Sequence, residues 1–513
     1  MPRAYHGRTP SLTDLTSAAN RINKINKDVN FPYDVAVSQD ATPFGYLFPE
    51  LQQPETLLPD LVAAKNGRPA IDIRLALLNL GATMGESPES SPLDSFIPSA
   101  YTYFGQFLDH DITLETKSDG LANLSDPNLE PLPLETIRTE IKNGRSPQID
   151  LDNIYYSPAP RVYSKMLLGK VSPVGPGARP PGKDDANDLP RQPPDADPQK
   201  NCAALIGDKR NDENLVVAQL HVAFLRAHNA IVDRGNTFDD AQQLLRKHYQ
   251  WIIVKDFLPR ICDQWIVSET ILHGNRFFLA ERDNLFMPLE FSVAAYRFGH
   301  SMVRNHYHYN LNFRAAGLAD LFSLTALSGR LDEVPTLPES WIIQWENFLE
   351  GGLNQARPID TALSETLFDL RAFGGPAPIE VRLPVRNLLR GYLLRLPTGQ
   401  AVADALGLPV MAPEDIEEVA RRVSGEQLEA VRAGGFSERT PLWYYILAEA
   451  AAEPSGKLGP VGSTIVAEVL IGLIRGGKDS ILREHNWQPT LGKTPGRFEL
   501  RDLLSLAEVL NNP

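Results

Sequence analysis

The sequence predicts a mainly α-helical protein, a single large helical domain with long irregular loops and little sheet. Three observations predict it. Apolar residues recur at helical spacing over much of the chain, strand-type alternation is scarce, and neither an internal repeat nor a low-complexity tract divides the sequence. Residues 1–70 are rich in turn-forming proline (PYD, ATPFGYLFPE, QQPETLLPD) and are expected to form an irregular arm packed on the body, residues 71–513. Tyr101 to Glu115 follows a helical pattern, whereas Arg145 to Ser157 alternates polar residues as an extended segment does. Residues 173–200 carry too many prolines and glycines for a regular element and form a loop. Beyond it, helices are expected over Asn214–Arg234, Phe238–Leu258, Leu289–Val303, Ser340–Leu349, Pro384–Leu394, Pro413–Ala433, Thr464–Ile474 and Leu500–Leu510.

Composition narrows the function. Among 513 residues, 42% are hydrophobic and 22% charged, the balance of a soluble globular chain with a packed core. A net charge of −14 argues against a nucleic-acid partner, which wants a basic surface. Cys202 and Cys262 are too few for a disulfide framework, although one bridge between them stays open. No apolar stretch approaches a membrane span, and the opening MPRAYHGRTPSLTDL lacks a signal-type apolar segment. The expectation is a cytoplasmic protein; export by a non-classical route would leave no mark.

Chemistry concentrates in a few segments. In YTYFGQFLDHDITLE, Gln106 and His110 share one helical face with Asp109 beside them, and Asp111 is rotated away. A histidine in such a helix can shuttle protons near neutrality. A structural helix ending in a surface Asp-His-Asp turn has the same spacing. In RSPQIDLDNIYYS, an extended backbone would present Ser146, Gln148, Asp150 and Asp152 as a row of hard oxygen donors, suited to Ca²⁺ rather than zinc or to an acidic surface turn. The block GDKRNDENLVVAQLHVAFLRAHN opens polar and becomes almost wholly apolar, as a buried helix does; Arg210 in it cannot act as a base but can stabilise negative charge. Ten histidines are present, and pattern alone does not select a metal ligand among His221, His228, His248, His273, His300, His306 and His308.

Taken together and in this order, the segments resemble the animal-type haem peroxidases of the peroxidase–cyclooxygenase superfamily, over about Leu75 to Leu506. The Gln-x-x-Asp-His-Asp run resembles that family's distal helix. It implies His110 as the acid–base residue, Gln106 as a hydrogen-bond partner of peroxide or anion, Asp109 as a carboxylate that can be esterified to haem, and Asp111 as a calcium ligand. The resemblance adds Ser146, Asp150 and Asp152 as side-chain calcium ligands and Gln148 as a carbonyl ligand. It makes Arg210 the catalytic arginine and Glu213 the second ester-forming carboxylate; Asn214 stands where one branch carries a haem-linking Met, so that link is not expected. LEFSVAAYRFGHSMVR resembles the proximal helix and implies His300 as the iron ligand. LPVRNLLRGYLLRLPTG implies Asn387 as acceptor for the His300 imidazole and Arg390 as a propionate partner, with Arg297 also at the cofactor. His221 and His228 are read as core histidines.

The implied cofactors are haem b, with ester links through Asp109 and Glu213 open, and Ca²⁺. The implied activity is reduction of hydrogen peroxide with oxidation of a small anionic or aromatic reductant: halide, thiocyanate or phenol. Dioxygenases of the superfamily carry a radical-forming tyrosine three residues before the proximal histidine, where this chain has Arg297; Tyr296 is one position off. Peroxidase is therefore favoured over the alternatives, a fatty-acid dioxygenase or peroxygenase and a haem-binding adhesion protein without catalysis.

Overall fold

The computed structural model describes residues 42–511 except 65–69, 87–93, 116–123, 125, 127, 156–158, 174–183, 198–200, 280–284, 324–335 and 371–381. The first 41 residues of the expected arm, and residues 174–183 and 198–200 of the proline-rich loop, lie outside the described residues. Sheet is confined to short pairings. The largest is a three-stranded patch in which β1 (Thr42–Gly45) runs antiparallel to β2 (Lys142–Asn143) and parallel to β3 (Met287–Pro288), with Thr42 opposite Asn143 and Phe44 opposite Met287.

Helices make the body, and the ones that position the site are α1 (Ile73–Ala82), α2 (Ala100–Ile112), α3 (Leu215–Asp233), α4 (Phe238–Ile252), α5 (Leu383–Leu393), α6 (Leu442–Ala452) and α7 (Pro460–Gly476). Local chemistry sets their ends. The Asn214 side chain accepts from Val216 N at 2.9 Å to open α3, and Thr237 Oγ1 accepts from Asp240 N at 3.2 Å to open α4. α2 buries Tyr101, Tyr103, Phe104, Phe107 and Leu108. Phe107 stacks on Phe224 of α3 with ring centroids 4.6 Å apart, which fixes α2 against α3. α1 lies so close to α5 that a Cβ on Gly81 would stand 2.8 Å from Val385 N.

Several expected helices change form. Leu289–Val303 is a π-helical turn, Glu290–Ala294, followed by a 3-10 segment, Ala295–His300, because Ala294 (φ −125°, ψ −74°) leaves helical geometry between them. Pro413–Ala433 splits at Ser424, whose extended backbone (φ −166°) lets its hydroxyl accept from Gln427 N at 3.0 Å and cap the second half. Ser340–Leu349 holds only two 3-10 turns, Glu339–Trp341 and Trp345–Asn347. α6 was not expected: it is apolar on all sides and has no polar face to give it a period. α3 reaches membrane-spanning length and hydropathy, which the expectation of no such stretch missed, but 83% of its apolar window is buried within the protein, as in a core helix. Cys202 and Cys262 are free and buried, so no bridge joins them.

His248 of α4 illustrates how the C-terminal region is held. Its Nδ1 donates to Leu244 O (2.7 Å) and its Nε2 accepts from Thr490 N (2.9 Å) and Leu491 N (3.1 Å). Burial pushes its pKa from 6.5 to about 4, against the favourable Leu244 carbonyl. Between those values the unfolded chain takes up a proton that the folded protein refuses, so stability rises with pH across this window. The advantage in melting temperature of the wild type over His248→Leu should be full above pH 6.5 and shrink as pH falls towards 4.

Candidate functional site

The distal group stands on α2 and the turn before α3. His110 is buried, and its Nδ1 lies 2.7 Å from Asn211 Oδ1. Burial, aided by the Arg210 guanidinium, pushes its pKa down to about 4, so the imidazole is neutral near pH 7 and able to take a proton. Arg210 is held on one 3-10 turn, Lys209–Asp212. Asp208 starts that turn by accepting from Arg210 N at 2.9 Å and grips the guanidinium through Nη2 at 2.7 Å. Nη2 also donates to Thr113 O at 2.5 Å, at the end of α2, and Nη1 stays outside these bonds. Burial opposes charge on Asp208, yet Arg210 and Arg145 together hold its carboxyl far below the usual range.

His300 ends the 3-10 segment Ala295–His300. Burial and the Arg297 and Arg386 charges push its pKa to about 3, so the imidazole is neutral and has a single lone pair. Its Nδ1 lies 2.9 Å from Asn387 Nδ2, while Asn387 Oδ1 accepts from Arg297 Nη1 at 2.6 Å. As placed, Asn387 donates to Nδ1, which leaves the ring proton on Nε2; to ligate a metal through Nε2, His300 needs the amide turned by half so that Oδ1 accepts from Nδ1–H, at the expense of the Arg297 contact. Arg390, expected at a propionate, is paired with Glu115. Trp443 of α6 packs edge-on at 6.4 Å from the His300 ring and donates to Arg297 O at 3.2 Å. Tyr296 stacks on Phe291 (4.7 Å) and donates to Gly105 O of α2 at 3.2 Å.

That last bond joins the two halves: the segment carrying His300 packs directly on the helix carrying His110. Asp109 acts on both, attracting Arg210 on one side and Arg297 on the other. Gln106, Asp109, Arg210, Glu213, Arg297, Gly299 and His300 are all partly exposed, although Phe104, Phe107, Leu108 and Phe298 between them are sealed. Such a pattern is that of side chains lining a recess. A Cβ on Gly299 would meet nothing within 4 Å, so there is open space beside His300. The recess and the open space beside His300 would admit a flat cofactor; of the two arginines expected at its carboxylates, Arg390 is already paired with Glu115 and Arg297 with Asn387 Oδ1.

The calcium segment departs from the expected comb. Residues 144–151 are turns and bends rather than extended, with Ile149 (φ 53°) and Leu151 (φ 59°) in the left-handed region and fully buried. This winding brings the segment onto α2: Asp111 accepts from Leu151 N at 3.2 Å and Asn153 N at 3.4 Å. Asp152 is held by Arg145 at 2.6 Å, and Gln148 Oε1 accepts from Lys478 N at 3.3 Å. Burial raises the Asp111 pKa well above its usual value, with Asp150 and Asp152 adding to it; Asp150 is pushed up to about 6 by burial and Asp152 despite Arg246. Ser146 Oγ and Asp150 Oδ1 are buried without a partner. Crowded carboxylates and orphaned oxygens suit a hard cation, although among the described residues no three His, Cys, Asp or Glu side chains converge closely enough to hold a metal as they stand.

Four residues at the site were not anticipated. Asn211, Asp208 and Arg145 are reached only through three-dimensional pairing, and Glu115 emerges as the partner of Arg390. The proline-rich loop also gains a role: Arg191 is clamped between Asp188 (2.8 Å) and Asp212 (2.7 Å), which ties the loop to the turn carrying Arg210. The single charged run Asp208-Lys209-Arg210-Asn211-Asp212-Glu213 is the one available signal.

Known proteins resemble the chain in sequence and in fold. A family model described as animal haem peroxidase matches residues 138–511, which include Arg210, His300 and Asn387 and begin after His110. A peroxidase-like protein of Margaritifera margaritifera is 29% identical over 40% of the chain and 31% of its own length. Human eosinophil peroxidase is 24% identical over 50% of the chain and 36% of its own length. The chain thus spans about a third of these two relatives. Among solved structures, peroxidase A of Dictyostelium discoideum (TM-score 0.53, 16% identity, 79% of this chain and 83% of that one) shares the fold. So does the fatty acid α-dioxygenase of Arabidopsis thaliana (TM-score 0.54, 14% identity, 98% and 84%).

Proposed function

The chain belongs to the animal haem peroxidase family, and from that premise we propose that it is a haem-dependent peroxidase that reduces hydrogen peroxide and oxidises halide, thiocyanate or a small phenol. The observation that carries this reading is a neutral, buried His110 with its Nδ1 engaged by Asn211, beside a fixed Arg210, on the helix against which the His300 segment packs.

Bound haem would supply the iron at which peroxide is reduced and would relay to the donor the two oxidising equivalents that peroxide provides. His300 would hold it, with Asn387 orienting the imidazole; Arg297 and, on release from Glu115, Arg390 would pair with its propionates, and Asp109 and Glu213 are the carboxylates available for ester links. Nε2 of His110 takes a proton from hydrogen peroxide and returns it to the oxygen that departs as water. Arg210 stabilises the negative charge that develops as that bond breaks, and Gln106, one turn before His110, hydrogen-bonds peroxide or a halide. Haem-reconstituted protein should oxidise iodide, thiocyanate or guaiacol only when peroxide is supplied. Oxygen uptake with linoleate in the absence of peroxide would overturn the reading in favour of a dioxygenase, which needs a tyrosine aimed at the cofactor; Tyr296 instead bonds the α2 backbone.

Asp111, Ser146, Asp150, Asp152 and the Gln148 carbonyl are the proposed Ca²⁺ ligands. An ion there neutralises carboxylates that otherwise repel one another against the underside of α2. Adding Ca²⁺ should raise the melting temperature and a chelator should lower it, and Asp150→Asn should abolish most of the difference.

A further inference from the structure

We propose that Asn211 is a positioning residue that presents the distal histidine with its proton on Nδ1 and a bare Nε2 towards the cofactor, and that His221 holds Asn211 for this task. The proposal rests on the acid–base role of His110 given above.

Three side chains form the chain of contacts: His110 Nδ1 to Asn211 Oδ1 at 2.7 Å, and Asn211 Nδ2 to His221 Nδ1 at 3.0 Å. Asn211 is fully buried and His221 almost so. A carboxamide has one accepting and one donating end. It therefore forces the two imidazoles into opposite states at Nδ1: His110 donates its proton there, and His221 offers a lone pair there and keeps its proton on Nε2. The reversed amide would place a proton on His110 Nε2 and leave no base to receive one from peroxide. A neutral imidazole carries a single proton, and the amide decides on which nitrogen of each ring it sits.

The mounting of Asn211 suits this role. It follows Arg210 on the same 3-10 turn, closed by Asn211 N to Asp208 O at 3.0 Å. Arg210 grips the end of α2 through Thr113 O while Asn211 grips the His110 ring, so one turn fixes the backbone and the side chain of the distal residue together. His221 is itself wedged by Phe107, edge-on at 6.2 Å, one turn before His110 on α2.

Cyanide provides a test that needs no turnover. Its acid form must give up a proton when it binds ferric haem, so its association rate reads the bare nitrogen of His110 while its dissociation rate mainly reads retention. In haem-reconstituted protein, Asn211→Leu should slow cyanide association by at least about tenfold, less than the roughly 10²–10⁴-fold of removing an acid–base group outright, with an unchanged Soret band. Asn211→Asp, which keeps an acceptor for Nδ1–H, should restore association to within about threefold of wild type. His221→Phe releases the donor end of the amide and should slow association severalfold; it carries the test if Asn211→Leu does not fold. Wild-type association in Asn211→Leu or in His221→Phe overturns the proposal, as does an Asn211→Asp variant as slow as Asn211→Leu. A wild-type protein that binds cyanide fast yet consumes no peroxide defeats the peroxidase reading and leaves this one standing.

Discussion

Replacing His110 by alanine should slow the reaction with hydrogen peroxide by roughly 10²–10⁴-fold while haem stays bound, the usual worth of a positioned acid–base group. The reason lies in the separation of tasks. Nothing that would hold the cofactor passes through the His110 ring, whose Nδ1 contact is with Asn211 on the far side from the recess. Arg210 has no proton to exchange near neutrality, since Asp208 outweighs burial and holds its pKa above the ordinary value. Stopped-flow mixing with peroxide, followed at the Soret band, gives the number. A rate equal to that of the wild type would remove His110 from the mechanism, and loss of haem would show that its role is structural.

A larger structural loss is expected from Asp208→Ala. Asp208 is sealed from solvent and serves two guanidiniums, Arg145 at 2.8 Å and Arg210 at 2.7 Å; Arg145 in turn reaches Asp152 at 2.6 Å. Removing the carboxylate leaves Arg145, only 1% exposed, with one of its two ionic partners. Breaking a buried pair from one side typically costs about 3–5 kcal/mol. Thermal unfolding should register this, and haem-loaded variant should also lose most peroxide reactivity because Arg210 loses both its bonded carboxylate and the cap on its own turn. Asp208→Asn, which keeps the cap and one acceptor, should retain more of each. Equal stability of Asp208→Ala and wild type would show that the chain of charges is solvated in solution.

Much of this was legible in the sequence where chemistry follows spacing. Gln106 and His110 share a face because the segment is a regular α-helix, and that held from Ala100 to Ile112. The stretch before His300 was less so: a π turn and a 3-10 segment present no period that differs visibly from an α-helix over a dozen residues. The calcium segment was misread in shape because Ile149 and Leu151 adopt left-handed backbone, which a β-branched or bulky residue rarely does without tertiary support. Asp208 and Arg145 are 63 residues apart, and Asn211 and His110 are 101 apart; neither pairing leaves a trace in either local segment. What the residues announce is which groups are candidates for the chemistry, and what only folding supplies is the company each one keeps.

Gly81 stands on α1, outside the residues assigned to the candidate site, and its missing side chain is what lets Val385 come in to touch the helix. Two residues further along α5 is Asn387, whose amide meets His300. Even a methyl group at position 81 would lift that helix and alter the electron-donating strength of the imidazole, which hydrogen bonding to its second nitrogen tunes. A search for variants with a shifted iron reduction potential should therefore include substitutions at this glycine, where no inspection of the cofactor's immediate neighbours would direct it.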